Sequence, residues 1–283
     1  TSMERVFGQA TNFNQNVGKW KVSNVQNMGF MFYQATNFNN GGSDDISGWD
    51  IGSCSNIRQM FRETAFNQPI GDWKTSSVNQ MDNMFNGNTV FNQDIGYWNT
   101  SGVSNMDGMF EGSTTFNQDI RYWNTSGLTY LLTDMFKDAT AMLNEYPNPP
   151  FTTMAATPSY EFFNKTRITD ANFKTACNAW IDNSVNADIS YGPINYWNTS
   201  NVTNMSSAFN HPNNASFNDA IDRWNTSKVI SMISMFSDAT SFDQPINTVD
   251  RTVNGIPYTA WDVSNVKNMN GMFNNAHSFN NGG

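Results

Sequence analysis

The sequence predicts an α/β solenoid of leucine-rich-repeat-like layout. Its units are about 25 residues long, each with one short strand and one short helix or 3-10 turn. Four recurring columns lead there. Eight of the nine tryptophans recur along the chain, at Trp20, Trp49, Trp73, Trp98, Trp123, Trp197, Trp224 and Trp261. Five residues after them runs an aliphatic column, Val25, Cys54, Val78, Val103, Leu128, Val202, Val229 and Val266. Eight residues after come Met28, Ile57, Met81, Met106, Leu131, Met205, Met232 and Met269. Eleven after, Met31, Met60, Met84, Met109, Ala208, Met235 and Met272 each precede a phenylalanine. A unit this short buries its apolar face only against its neighbours, so the columns define a repeated core.

The clearest unit runs from Phe91 to Phe110. Ile95, Gly96, Tyr97 and Trp98 are the candidate strand. Val103, Met106, Met109 and Phe110, spaced 3, 3 and 1, share one helical face and predict a short α or 3-10 turn. Asn99, Thr100 and Ser101 precede it as N-cap residues. The next unit, from Phe116 to Trp123, repeats the pattern.

The columns divide the chain into a first array over 1–143, a Pro-rich linker over 144–167, an amphipathic capping helix over 168–190 and a second array over 191–283. The linker contains Tyr146-Pro147-Asn148-Pro149-Pro150. The helix carries Phe173, Ala176, Cys177, Trp180 and Ile181 at helical spacing behind Thr169 and Asp170, and is expected to cover the open end of the second array. Gly41–Asp45 and Asn247–Thr259 fall between columns, as loop insertions do. Both ends cut a repeat: Met3 and Phe7 lack their tryptophan, and Phe279 opens an unfinished unit. Further repeats, or a second copy, are expected to cover them.

Composition narrows the function. A net charge of −9, with only 15 Lys and Arg, provides no basic stripe for a nucleic acid. No apolar run reaches the roughly 20 residues of a membrane span. Mean hydropathy is −0.54, and Leu is confined to Leu128, Leu131, Leu132 and Leu143. Met and Phe therefore do the work of Leu. Cys54 sits in the aliphatic column and Cys177 on the apolar helix face, both expected as buried thiols. His211 and His277 lie in separate loops. Catalytic, metal and cofactor sites are not predicted.

Asn14, Asn39, Asn67, Asn92, Asn117, Asn218 and Asn280 follow the phenylalanine column and are expected to form an internal amide ladder. Asp45, Asp94 and Asp119 suit surface capping better than calcium, which needs six to eight oxygens around one point. Tyr97, Tyr122 and Tyr196 directly precede core tryptophans, so strand alternation should aim them outward. With Arg121 they form the candidate ligand site, for stacking on a sugar or anchoring a protein; cross-strand packing without a ligand is the alternative. Among eight Asn-x-Ser/Thr sequons, Asn164 and Asn214 lie outside the repeat's own turn and are the glycosylation candidates. The Thr75, Thr100, Thr125, Thr199 and Thr226 column fits capping better than an ice-binding face.

The recurring elements Phe-Asn-Gln-(Asp/Pro)-Ile, Trp-(Asn/Asp)-(Thr/Val)-Ser, Val-x-x-Met-x-x-Met-Phe and Ala-Thr-x-Phe resemble the bacterial-surface-protein type of leucine-rich repeat. Within that type they are similar to the Met/Phe/Trp-rich subclass catalogued as a domain of unknown function in mycoplasmas, and related repeats are abundant in marine algae and some protists. The helix from Thr169 to Trp180, followed by Tyr191-Gly192-Pro193-Ile194, looks like the segment that opens such arrays. The resemblance covers most of the chain outside 144–167. It implies a secreted or surface-anchored protein used in attachment or structure, with no catalytic residues. The expected function is non-enzymatic and extracellular, acting through multivalent contacts with other protein subunits or further repeats of the same chain. Recognition of a surface glycan or a protein on a concave strand face is the alternative.

Overall fold

The computed structural model describes residues 1–129, 132–145, 157–158, 162–253 and 256–282. Leu131 and the Pro-rich stretch 146–150 lie outside them. The chain divides into two compact units, Thr1–Asn164 and Lys165–Gly283.

In the first unit, Ser2, Asn27, Asn56, Gln80 and Asn105 bridge in parallel, each to its equivalent in the next repeat. Downstream of each bridge, every second N–H crosses between repeats. Those of Met81, Asn83, Phe85 and Gly87 donate to the carbonyls of Asn105, Asp107, Met109 and Glu111 at 3.1, 2.8, 2.9 and 2.7 Å. The intervening N–H groups close turns within the repeat: Met84 to Met81, Asn86 to Asn83 and Asn88 to Phe85, at 3.2, 3.2 and 3.0 Å.

Asn83 and Gly87 both have positive φ, 54° and 67°. Left-handed residues four apart cannot continue a right-handed helix. The segment expected as a helix is therefore a ribbon of overlapping β-turns, and its 3, 3, 1 spacing is that of turns that aim Met81, Met84 and Phe85 inward. The expected strand at Ile95–Trp98 is also a turn, closed by the Trp98 N–H on the Ile95 carbonyl at 3.1 Å. Lateral pairing sits at Asn105 instead.

Short 3-10 segments occupy Asn40–Gly42 and Asp44–Gly48, and helix α1 spans Thr140–Glu145. Two phenylalanine columns fill the core. Phe85 and Phe91 stack at 3.9 Å within one repeat, and Phe85–Phe110 and Phe91–Phe116 continue the columns at 5.7 and 6.0 Å. Beside them Trp73, Trp98 and Trp123 lie nearly parallel at 6.5 and 6.3 Å.

The second unit opens with α2, Phe173–Asp182, and α3, Ser184–Tyr191. The single helix expected over 168–190 is thus broken at Asn183, whose extended backbone ends α2 and whose Oδ1 accepts the Asn186 N–H to cap α3. Helix α2 buries Phe173, Ala176 and Cys177, with Phe173 edge-on to Trp224 at 5.4 Å. Val185 and Ile189 of α3 face solvent. The turn ribbons then recur: Met205, Ser207 and Phe209 donate to the carbonyls of Ser231, Ile233 and Met235 at 2.8–2.9 Å. Further 3-10 turns lie at Ile194–Tyr196 and Asn214–Ser216. The insertion before Trp261 forms an antiparallel hairpin of β1, Val249–Val253, and β2, Ile256–Ala260, with Arg251 opposite Tyr258. Arg251 pairs with Asp222, and the Tyr258 hydroxyl donates to the Arg223 carbonyl at 2.6 Å, latching the hairpin to the preceding repeat.

Candidate functional site

Tyr97, Arg121 and Tyr122 belong to the first unit, and they differ widely in exposure. Tyr97 is 63% exposed, as the third residue of the Ile95–Trp98 turn and not through strand alternation. Tyr122 is half-buried. Arg121 is only 4% exposed. Its Nε and Nη2 fork onto Asp119 Oδ1 and Oδ2, both at 3.0 Å, so the guanidinium is folded back into the protein and does not flank an exposed aromatic pair. A bidentate partner two residues away satisfies a guanidinium at little cost in chain order. Tyr196 belongs to the second unit and is half-buried, with the Arg223 guanidinium 4.6 Å over its ring.

Of the two glycosylation candidates, Asn214 is corrected. Asn214 is 2% exposed, its Nδ2 donating to the backbone carbonyls of Phe209 and Ser237. It plugs a turn and cannot carry a sugar in the folded chain. Asn164 is exposed, but it closes the last repeat of its unit. Its N–H donates to the Trp123 carbonyl at 3.0 Å, its Oδ1 accepts the Thr125 N–H and its Nδ2 donates to Thr125 Oγ1 at 2.9 Å. The repeat's own sequons behave differently. Asn99, Asn124 and Asn198 are exposed, and each uses Oδ1 to cap the serine two residues on, through its N–H and hydroxyl. Their Nδ2 groups face outward with no protein hydrogen bond among the described residues.

Most of the repeat's polar side chains are engaged internally. The amide column runs as a ladder: the N–H of Asn39, Asn67, Asn92 and Asn117 donates to Oδ1 of Asn14, Asn39, Asn67 and Asn92 at 2.7–3.1 Å. Gln68, Gln93 and Gln118 add Nε2 donors to the same oxygens. Buried Thr75, Thr100, Thr199 and Thr226 donate their hydroxyls to the carbonyls of Asn99, Asn124, Asn225 and Asp262 in the following repeat at 2.8–3.0 Å. A buried column cannot present a face to ice. Asp94 accepts the Gly96 N–H and Asp119 the Arg121 N–H, a local capping role.

Sequence reasoning missed the tryptophans' polar task. Trp73, Trp98, Trp123, Trp224 and Trp261 each donate Nε1–H to the carbonyl of the isoleucine three residues before the preceding tryptophan, at 2.8–3.1 Å; Trp49 uses Val17 in the same way. Trp197, first in its unit, uses the Gly192 carbonyl. The regular Ile–Trp spacing is the signal that could have revealed this. Trp20 departs from its column: it is 39% exposed, with Phe7 at 5.6 Å. It belongs to the rim, not the core.

Cys54 and Cys177 are buried and free, and burial raises both thiol pKa values, Cys177 strongly, which disfavours the nucleophilic thiolate. No three His, Cys, Asp or Glu side chains among the described residues group to hold a metal. No described helix is long and apolar enough to cross a membrane.

The family described as "Mycoplasma protein of unknown function, DUF285" matches residues 1–78, 42–148 and 175–282. The chain belongs to the DUF285 family. Each match takes in three or four of the columned tryptophans, so the DUF285 unit is a block of the short repeats and this chain is a tandem array of such blocks. No curated protein and no solved structure matches the chain.

Proposed function

We propose that this DUF285 chain is a non-catalytic repeat protein of the cell surface or extracellular space, in which each unit is a solenoid of the bacterial-surface-protein leucine-rich-repeat type. It serves structure or adhesion through many weak, repeated contacts with other proteins or with further repeats of its own kind. The observation that supports this reading is where the polar chemistry goes. Indole N–H, threonine hydroxyl and asparagine amide all join one repeat to the next. The outer surface is left with recurring short polar groups, such as the Asn99 and Asn124 turns, which gain strength only by number. Protease shaving of intact source cells should release peptides of the chain. Beads coated with the intact chain should bind partner surfaces more steeply than linearly with coating density. Protection from protease, or one saturable one-to-one contact independent of density, would sink the proposal.

A second reading rests on the exposure of Tyr97. An aromatic side chain this exposed on a polar surface suits stacking on a glycan or anchoring a protein. Loss of glycan-array binding in Tyr97→Ala, with unchanged melting, would favour it over adhesion by repetition.

A further inference from the structure

Trp180 is the one tryptophan outside the columns. Where the seven tryptophans from Trp49 to Trp261 in those columns give their indole N–H to a backbone carbonyl, Trp180 gives its own to the Oδ2 of Asp219, an exposed side chain, at 2.9 Å. The two residues wall a cleft of about 390 Å³ in the second unit, between the end of α2 and the excursion around Asn213. Phe173, Ala176 and Cys177 of α2 and Phe217 beside the cleft are buried in the core, while Asp182, Asn213 and Asp219 are exposed and stand outside it. Asp182 forms another wall, its Oδ1 accepting Asn213 Nδ2 at 3.1 Å with His211 Nε2 at 3.6 Å. Each carboxylate is therefore oriented through one oxygen. Asp219 Oδ1 and Asp182 Oδ2 have no protein partner among the described residues, and no Lys or Arg lines the cleft.

We propose that this cleft binds the guanidinium of an arginine side chain presented by a partner protein. A planar cation that stacks on indole and forks hydrogen bonds to carboxylates matches a half-buried tryptophan flanked by two held carboxylates with free oxygens. A lysine ammonium satisfies the charge but not the planar fork. A neutral sugar would use the indole and leave the charges uncompensated. The site is independent of the repeated surface described above and takes one side chain at a time.

The test uses the intact chain and Nα-acetyl-arginine methylamide, titrated while the indole N–H signals are followed by NMR. The expected result is a saturable shift of the Trp180 signal, with the citrulline analogue about tenfold weaker or worse and the lysine analogue in between. Asp219→Asn still accepts the indole N–H, so melting should be unchanged while arginine binding weakens about tenfold. Asp182→Asn gives a second, independent check. Equal binding of citrulline and arginine, unchanged affinity in both variants, or no Trp180 shift at millimolar probe would overturn the proposal. Binding of a methyl hexoside in place of arginine would assign the cleft to sugars.

Discussion

The indole Nε1 of Trp98 donates to the carbonyl oxygen of Ile70, 28 residues earlier, at 3.0 Å. One side chain thus fills the core and supplies a directional bond to the preceding repeat.

Substitution should separate the two roles. Trp98→Ala removes a side chain that is 4% exposed and stacked between Trp73 and Trp123, and should cost about 3–5 kcal/mol in denaturant titration. Trp98→Phe keeps much of the packing but strands the Ile70 carbonyl, for about 1–3 kcal/mol. Trp20→Ala, on the rim, should cost well under half of the Trp98→Ala loss. Equal effects at the two tryptophans would refute the assignment of Trp20 to the rim.

The turn ribbon makes a sharper demand at Gly108. Its φ is +59°, and a Cβ there would lie 2.6 Å from Asn83 Oδ1 in the neighbouring repeat. Gly108→Ala should destabilise by more than about 1 kcal/mol. If the segment were helical, the same change would stabilise by roughly 0.5–1 kcal/mol, so the sign of the shift in melting temperature decides between them.

Two aspartates should respond to acid in opposite directions. Burial holds the Asp107 carboxyl above its ordinary 3.8, with the Thr133 hydrogen bond opposing and the Asp82 charge adding to the rise. The folded state then binds the proton more tightly than the unfolded chain. Its stability contribution is full below 3.8 and is lost as pH rises through the higher folded value. For Asp170 burial works upward, but hydrogen bonds from Thr203 and Asn204 outweigh it and hold the group below 3.8. Its contribution is present above 3.8 and is lost as pH falls through the lower folded value. Asp107→Asn should raise the melting temperature at pH 7 and shrink the acid-side gain, while Asp170→Asn should lower it at pH 7 and flatten the acid-side loss.

Glycan placement offers a fourth check. Glycan attaches before folding is complete, so a sugar on Asn214 would block the burial of that side chain. Folded material from a eukaryotic secretory host should carry glycan at Asn99, Asn124 or Asn198 and none at Asn214 by peptide mass spectrometry. A glycan on Asn214 in natively melting protein would contradict its buried placement.

What sequence reveals here divides along a physical line. Burial of Met84, Phe85 and Trp98 follows from identity and period, because an apolar side chain recurring at fixed offsets has nowhere else to go. Backbone conformation does not. The spacing of Val103, Met106 and Met109 suits a helix and a turn ribbon alike, and only the recurrence of Gln59, Asn83, Gly108 and Asp134, all at positive φ, tells them apart. Arg121 and Asn214 were misplaced for a related reason. A charged or sequon residue looks exposed in one dimension, whereas a partner two residues away, or a neighbouring turn, can take it inside. The Trp180 cleft was invisible because it joins α2 to a loop beyond the next tryptophan, and spacing along the chain gives no hint of the meeting.

The cross-repeat bonds have a polarity with an evolutionary meaning. The ribbon N–H groups of Met81, Asn83, Phe85 and Gly87 donate to the following repeat and indole N–H groups to the preceding one, and each kind of bond recurs between the same pair of repeat positions along the array. An in-frame duplication or loss of one period therefore leaves each surviving junction chemically the same as before. Length becomes a trait on which recombination can act without disturbing the fold, so reach and the number of contacts can change in single genetic steps.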